Sequence, residues 1–220
     1  MCGICGQLTF DPAQNVDGEL LRRLNFTIRH RGPDSDGYYL KGPVGLAISR
    51  LAIIDVAGGR QPISSEDDSV VVVFNGEIYN FRELRAELQK FGHRFKTQSD
   101  TEVIVHGYEQ WGDNVLHRLN GMFAVALWDE PKHRLLLARD RMGKKPLYWH
   151  QSKKGLLWGS EAKAILAAPW VERRVNPLAL HHYLTLQYIP DPLTIFQDMH
   201  RLPAAHKLVI ERNAEPVISR

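Results

Sequence analysis

Cys2 stands directly behind the initiator in Met1-Cys2-Gly3-Ile4-Cys5-Gly6. Cysteine is small enough for methionine removal, which would put a thiol and a free α-amine on one residue. A thiolate is a strong nucleophile, but near neutral pH it needs a base or a lowered pKa. An α-amine, with an ordinary pKa of about 7.7–8.0, suits that role, directly or through one bridging water. On position alone, the commoner use of a free cysteine as a small buried hydrophobe stays open.

Asn75-Gly76 has two readings as well. The dipeptide is a strong hairpin turn, and it also carries the side-chain amide and backbone N–H that an oxyanion hole needs. Arg50 and Asp100 each have a local use, as a strand-flanking charge and a helix-start acid. In one pocket they would bind the zwitterionic end of an amino acid, guanidinium on carboxylate and carboxylate on ammonium. Spacing alone does not bring them together. Cys2 and Cys5 form a C-x-x-C, the spacing of a redox pair or half a zinc site. Here the motif begins the chain, no second C-x-x-C follows, and His181-His182 lack zinc spacing, so Cys5 is read as a packing residue.

The elements that must hold these residues are readable from pattern. Cys2 to Phe10 is a short strand ended by the turn Asp11-Pro12, and Asp17 caps a helix to Thr27 with Leu20, Leu21 and Leu24 on one face. A turn-rich loop covers Arg31 to Gly37, and strands follow at Gly37–Leu40 and Val44–Ile54. Ser69 to Phe74 is apolar on both faces, so it lies between two layers, and Asn75-Gly76 ends it. Helices are predicted over Phe81–Phe91, after the capping box Ser99-Asp100-Thr101-Glu102, over Glu161–Ala168 behind Ser160, and over Asn176–Gln187. Strand pairs are predicted at Met122–Asp129 with Arg134–Arg139, and at Leu147–His150 with Leu156–Gly159. Consecutive hairpins argue for antiparallel sheets, and the doubly buried strand for two stacked sheets covered by helices.

Composition excludes several classes. At 220 residues, 44% apolar and a formal charge of +3, the chain is neither disordered nor dependent on disulfides for its core. Its apolar runs are strand-length, so no membrane span is predicted. Basic residues are scattered without an aromatic-interleaved stripe, so no nucleic-acid partner is expected. The N-terminus has neither a charged n-region nor an apolar h-region, so no signal peptide is read and a cytoplasmic location is expected.

Six segments in order resemble the glutamine amidotransferases with an N-terminal cysteine nucleophile, nearest to the glutaminase domain of asparagine synthetases. They are Met1-Cys2-Gly3-Ile4, Arg29 to Asp34, Ser49 to Asp55, Phe74 to Asn80, Ser99 to Glu102, and Ala138 to Tyr148. The resemblance implies an α+β fold of the Ntn-hydrolase type, a four-layer α/β/β/α sandwich of two antiparallel sheets. It implies L-glutamine as substrate and Cys2 as nucleophile, with Asn75 and Gly76 on the oxyanion. Arg50 would take the substrate carboxylate, and Glu77 and Asp100 its ammonium, with Leu51 and Ile53 in the pocket wall.

It further implies that ammonia passes to a covalently linked C-terminal synthetase domain making asparagine from aspartate. No Ser-Gly-Gly-x-Asp-Ser pyrophosphate loop occurs here, so no cofactor is expected in this chain, and ATP and Mg2+ belong to that further domain. Residues 1–188 are read as the glutaminase domain and 189–220 as a connecting segment. The resemblance also allows a homodimer. Asp55 to Pro62 resembles relatives in exopolysaccharide or protein-sorting gene systems, whose acceptor differs. A non-catalytic glutamine-binding module stays open too. Arg31-Gly32-Pro33-Asp34 and Glu77 favour the asparagine type over phosphoribosylpyrophosphate or fructose-6-phosphate amidotransferases.

Overall fold

The computed structural model describes residues 1–11, 14–211 and 214–220. The first half holds β1 (Gly3–Leu8), α1 (Gly18–Thr27), β2 (Ser35–Lys41), β3 (Val44–Arg50), β4 (Ile63–Ser64), β5 (Val70–Ile78), α2 (Phe81–Lys90) and α3 (Glu102–Trp111). Then come α4 (Val115–Arg118), β6 (Gly121–Asp129), β7 (Arg134–Arg139), β8 (Tyr148–Ser152), β9 (Gly155–Gly159) and α5 (Ala162–Ile165). The last are α6 (Pro177–Leu186), β10 (Met199–Arg201), β11 (Lys207–Glu211) and β12 (Val217–Ser219).

The strands form two sheets, in the orders β10-β8-β9-β1-β3-β2 and β12-β11-β7-β6-β5-β4, with antiparallel neighbours throughout. Alternation along β5 shows how they stack. Val71 and Val73 point into the core between the sheets, with Ile4, Ile48, Trp128 and Trp158. Val70, Val72 and Phe74 point the other way, against Leu84, Leu88 and Ile104 of α2 and α3. Burying a valine fully is worth about 1.5–3 kcal/mol, so two-sided burial fixes the register of this strand. On the other sheet, Cys5 and Leu157 pack against Leu20, Leu24 and Ile165 of α1 and α5. The order of layers is α/β/β/α, the α+β sandwich of two antiparallel sheets that was expected.

Local signals explain several boundaries. Asp17 Oδ1 accepts the amides of Glu19 and Leu20 at 2.9 and 3.1 Å, capping α1 as predicted. Asn176 does the same for α6, with Pro177 in the first helical position. The chain passes Gly92 at φ +99°, which stops α2. The predicted turn at Asp11-Pro12 runs into Pro12, outside the described residues.

Other boundaries differ. Ser160 caps no helix; its Oγ accepts the Ile4 amide at 3.0 Å and its N–H donates to the Ile4 carbonyl at 2.8 Å, tying the end of β9 to β1. The capping box does not close either. Glu102, which is buried, turns back to the preceding loop to accept the amides of Lys96 and Thr97 at 2.7 and 2.8 Å, while Ser99 Oγ accepts the Thr101 amide at 3.2 Å. The predicted loop at Arg31–Gly37 gives way to strand from Ser35, because Ser35 to Lys41 pair along the whole of β3. The stretch 189–220, expected as a connection, adds β10 to one sheet and β11 and β12 to the other.

Behind the sheet, His106 on α3 is held by Glu109 at 2.8 Å and Glu102 at 3.6 Å, with Glu66 at 3.8 Å. Burial alone would lower the pKa of His106, but Glu102 and Glu109 outweigh it and hold the imidazolium up to about 9. The folded value lies above the unfolded one, so this contribution is full below about pH 6.5 and is lost as pH rises through 9. Urea unfolding should therefore show stability falling by about 2–3 kcal/mol between pH 6.5 and 9.5. His106→Gln should be destabilised at pH 6.5 and lose that dependence; an unchanged slope would refute the imidazolium.

Candidate active site

β1 lies between β3 and β9, with Gly3 opposite Ser49 and Cys5 opposite Gly159, so Cys2 sits beside the end of β3. The Leu51 amide donates to Cys2 Sγ at 3.4 Å, and the thiol donates to the Leu51 carbonyl at 3.5 Å. Arg31 Nε donates to the Cys2 carbonyl at 3.0 Å and its Nη1 pairs with Glu161 at 2.9 Å. Cys5 lies on the opposite face of the strand from the even-numbered residues. It is fully buried, its thiol 3.9 Å from Asn25 Oδ1, and burial pushes its pKa up. The two thiols are not bonded to each other.

Asn75-Gly76 is not a turn. β5 runs on to Ile78, with Asn75 opposite Ala124 and Gly76 opposite Phe123. Phe123 directs its own peptide groups away, donating to Asp140 Oδ2 at 3.1 Å and accepting the Asp140 amide at 2.9 Å. Gly76 is therefore in a non-hydrogen-bonded pair, and its N–H points to the other edge, as do those of Phe74 and Ile78. β4 covers that edge only at Val71 and Val72.

Beyond β4, side chains take over. Gln61 Oε1 accepts the Phe74 amide at 2.7 Å and its Nε2 donates to the Phe74 carbonyl at 3.2 Å, as a strand peptide would. Asp100 Oδ2 accepts the Ile78 amide at 2.9 Å. Gly76 falls between these two. A Cβ there would lie 2.1 Å from the Met122 carbonyl oxygen, so the position admits only glycine. Asn75 is 1% exposed and continues the face of Val71 and Val73, toward the sheet that holds Cys2. Neither its amide oxygen nor its nitrogen has a hydrogen-bond partner among the described residues.

β3 stops at Arg50 rather than Ile54 because its guanidinium folds the following chain around itself. It donates to the carbonyls of Ile54, Asp55 and Val56 at 3.3, 2.8 and 3.1 Å. Asp55 then accepts the amides of Gly58 and Gln98 at 2.9 and 2.7 Å, joining this loop to the approach to α3. At the far side, burial raises the pKa of Asp100; the Ile78 amide opposes this, and the charge of Glu77 adds to it.

These pieces line a cavity that is partly open to solvent. Cys2, Arg50, Leu51, Ile53, Asn75, Gly76, Glu77 and Asp100 all line it. Gln61, Thr101, Met122 and Lys145 line it too, and the sequence reading gave them no site role. Gln61 sits beside a proline in a turn-rich run, and nothing in that pattern says that its side chain completes a sheet. Lys145 lies within a segment that carried the family resemblance, which was the available signal.

A glutamine amidotransferase domain model matches residues 1–218. The chain belongs to that family. This amidotransferase domain is 39% identical over 217 residues to asparagine synthetase [glutamine-hydrolyzing] 1 of Bacillus subtilis, covering 98% of this chain and 34% of that protein. It is 43% identical over 166 residues to asparagine synthetase [glutamine-hydrolyzing] 2 of Oryza sativa, covering 75% of this chain and 28% of that one. The domain thus spans about a third of the length of these relatives. Its fold is shared by the glutamine phosphoribosylpyrophosphate amidotransferase of B. subtilis, at a TM-score of 0.69 and 18% identity over 100% of this chain and 49% of that one.

The edge of β5 makes the domain sensitive at two positions. Gln61→Leu leaves both peptide groups of Phe74 unpaired and should cost about 2 kcal/mol in urea unfolding. Gly76→Ala must push β6 away and should cost at least as much. Near-wild-type stability of both variants would show that the edge is not held as described.

Proposed function

We propose that this domain hydrolyses L-glutamine to glutamate and ammonia, with Cys2 as nucleophile after removal of Met1. The observation that carries this reading is the buried Asn75 amide, without a partner, on the wall of the cavity that holds Cys2. An unpaired buried amide costs about 1–3 kcal/mol, and an oxyanion that forms only during reaction would recover it.

The geometry supports a complete cycle. The α-amine takes the proton of Sγ, and the thiolate attacks the carboxamide carbon. Asn75 Nδ2 and the Gly76 N–H hold the resulting oxyanion. Collapse returns the proton to the departing nitrogen, releasing ammonia and leaving a γ-glutamyl thioester, which water hydrolyses to glutamate.

At the other end, three loop carbonyls fix Arg50 with its charge at the cavity wall, suited to the substrate carboxylate. Glu77 and Asp100 are both acids on this wall; burial raises Asp100 and the charge of Glu77 adds to it, and an arriving α-ammonium offsets both. Leu51 and Ile53 wall the channel between, and Ile53 is 69% exposed at its mouth.

In the longer protein, ammonia would pass to a C-terminal synthetase domain that uses ATP and Mg2+ to make asparagine from aspartate, in the cytoplasm. The exposed apolar face of α6, with Leu180, Tyr183, Leu184 and Leu186, suits cover by such a domain. A homodimer is part of this reading.

Mass spectrometry of the purified protein should show Met1 absent, because a retained methionine acylates the base. Cys2→Ala should abolish glutamate release, and Asn75→Ala should lower kcat about 10²–10³-fold with little change in KM. Glutaminase activity that survives in Cys2→Ala would overturn the mechanism.

A further inference from the structure

Lys145 is 4% exposed and lines the cavity beside Cys2. Its backbone is fixed on both sides: Asp140 Oδ2 accepts its amide at 3.0 Å, and Arg139 Nε donates to its carbonyl at 2.7 Å. The same Asp140 carboxylate holds the amides of Met142, Lys144 and Phe123, the last opposite Gly76. Lys145 is thus built into the framework that also sets the edge of β5.

Its ammonium has an unusual partner. Nζ lies 3.0 Å from Met1 Sδ, and among the described residues no carboxylate stands within ion-pair distance. A thioether is a weak acceptor, and a buried ammonium is costly unless paired. A lysine with a purely structural task would be expected to meet an acid. This one reaches the side chain of the single residue that the proposed maturation removes, so processing takes that contact away and leaves the charge in the cavity that Cys2 also lines.

We propose that Lys145 is a positioning residue for the nucleophile, whose charge keeps the Cys2 α-amine in its free-base form and favours the thiolate. The proposal rests on Cys2 being the processed N-terminal nucleophile. A neighbouring positive charge favours the less positive form of each group, amine over ammonium and thiolate over thiol. The proton still passes from Sγ to the α-nitrogen, and Lys145 gives up none.

The charged groups around it are Arg31, from the 3-10 turn after α1, Asp140 at the end of β7, and Glu77 on β5, together with Cys2 itself. Burial and then Arg31 push the pKa of Lys145 down, while Asp140, Cys2 and Glu77 oppose them. Arg31 holds the Cys2 carbonyl through Nε and Glu161 through Nη1, so its guanidinium is fixed on the carbonyl side of Cys2, while Lys145 reaches the Met1 side of the same residue.

The test compares the processed wild-type chain with Lys145→Met, Lys145→Gln and Lys145→Arg, each checked for folding by thermal melting. Two profiles are read from pH 5.5 to 9: Cys2 alkylation by iodoacetamide, and kcat/KM for glutamine. Met and Gln should move the midpoint of both upward by about one unit, slowing alkylation at pH 7 roughly 5–10-fold. Arg should restore both to within about twofold. Unmoved midpoints in a folded Met or Gln variant would overturn the proposal. So would a loss of turnover without a shift, which a merely structural role gives. The alkylation profile needs no glutamine, so it tests Lys145 even if Cys2→Ala still releases glutamate and the hydrolytic reading fails.

Discussion

The site depends on one strand edge that is deliberately left incomplete. β5 is buried on both faces, so its peptide groups cannot turn to bulk water, yet its partner β4 ends after two residues. A longer β4 would pair Gly76 and close the cavity. No substitute at all would leave several buried peptides without partners, at about 1–3 kcal/mol each. Gln61 and Asp100 resolve this by serving Phe74 and Ile78 and skipping the residue between. Whatever anion approaches Gly76 meets a donor already aimed at the cavity.

Charge is distributed along the cavity in a matching way. Cations gather at the Cys2 end, where Arg31 binds its carbonyl and Lys145 lines the wall. Arg50 and the acid pair Glu77 and Asp100 stand along the cavity from them. Arg50 and Asp100 are held by backbone rather than by an opposite charge, Arg50 by three carbonyls and Asp100 by an amide. Fixing charges through peptide dipoles keeps them available, because a salt bridge between them would neutralise the features that recognise a zwitterion.

Much of the layer structure was legible in the sequence because hydrophobic period and hairpin spacing report directly on burial. The run Val70 to Phe74, the Asp17 cap and the β6–β7 hairpin are local statements and were read correctly. What escaped were residues whose partners lie far along the chain. Ser160 and Glu102 sit where a capping residue should, but a strand amide and a distant loop compete for their oxygens. Asn75-Gly76 looks like a turn because that dipeptide tolerates one; pairing with β6 overrides the preference. The cavity residues were assembled by resemblance alone, since no period along the chain brings Cys2, Arg50 and Asp100 together. Gln61 was invisible, because a side chain imitating a strand leaves no pattern.

The central place of β1 has a consequence for how the domain assembles. One flank of β1 is formed by β3, and the other is complete only when Leu156–Gly159 pair with it. Ser160 then clasps Ile4 from the far end of the same hairpin. Contacts between segments so far apart in the chain form late in folding, because loop closure must come before them. The backbone beside Cys2 is therefore among the last parts of its sheet to be fixed.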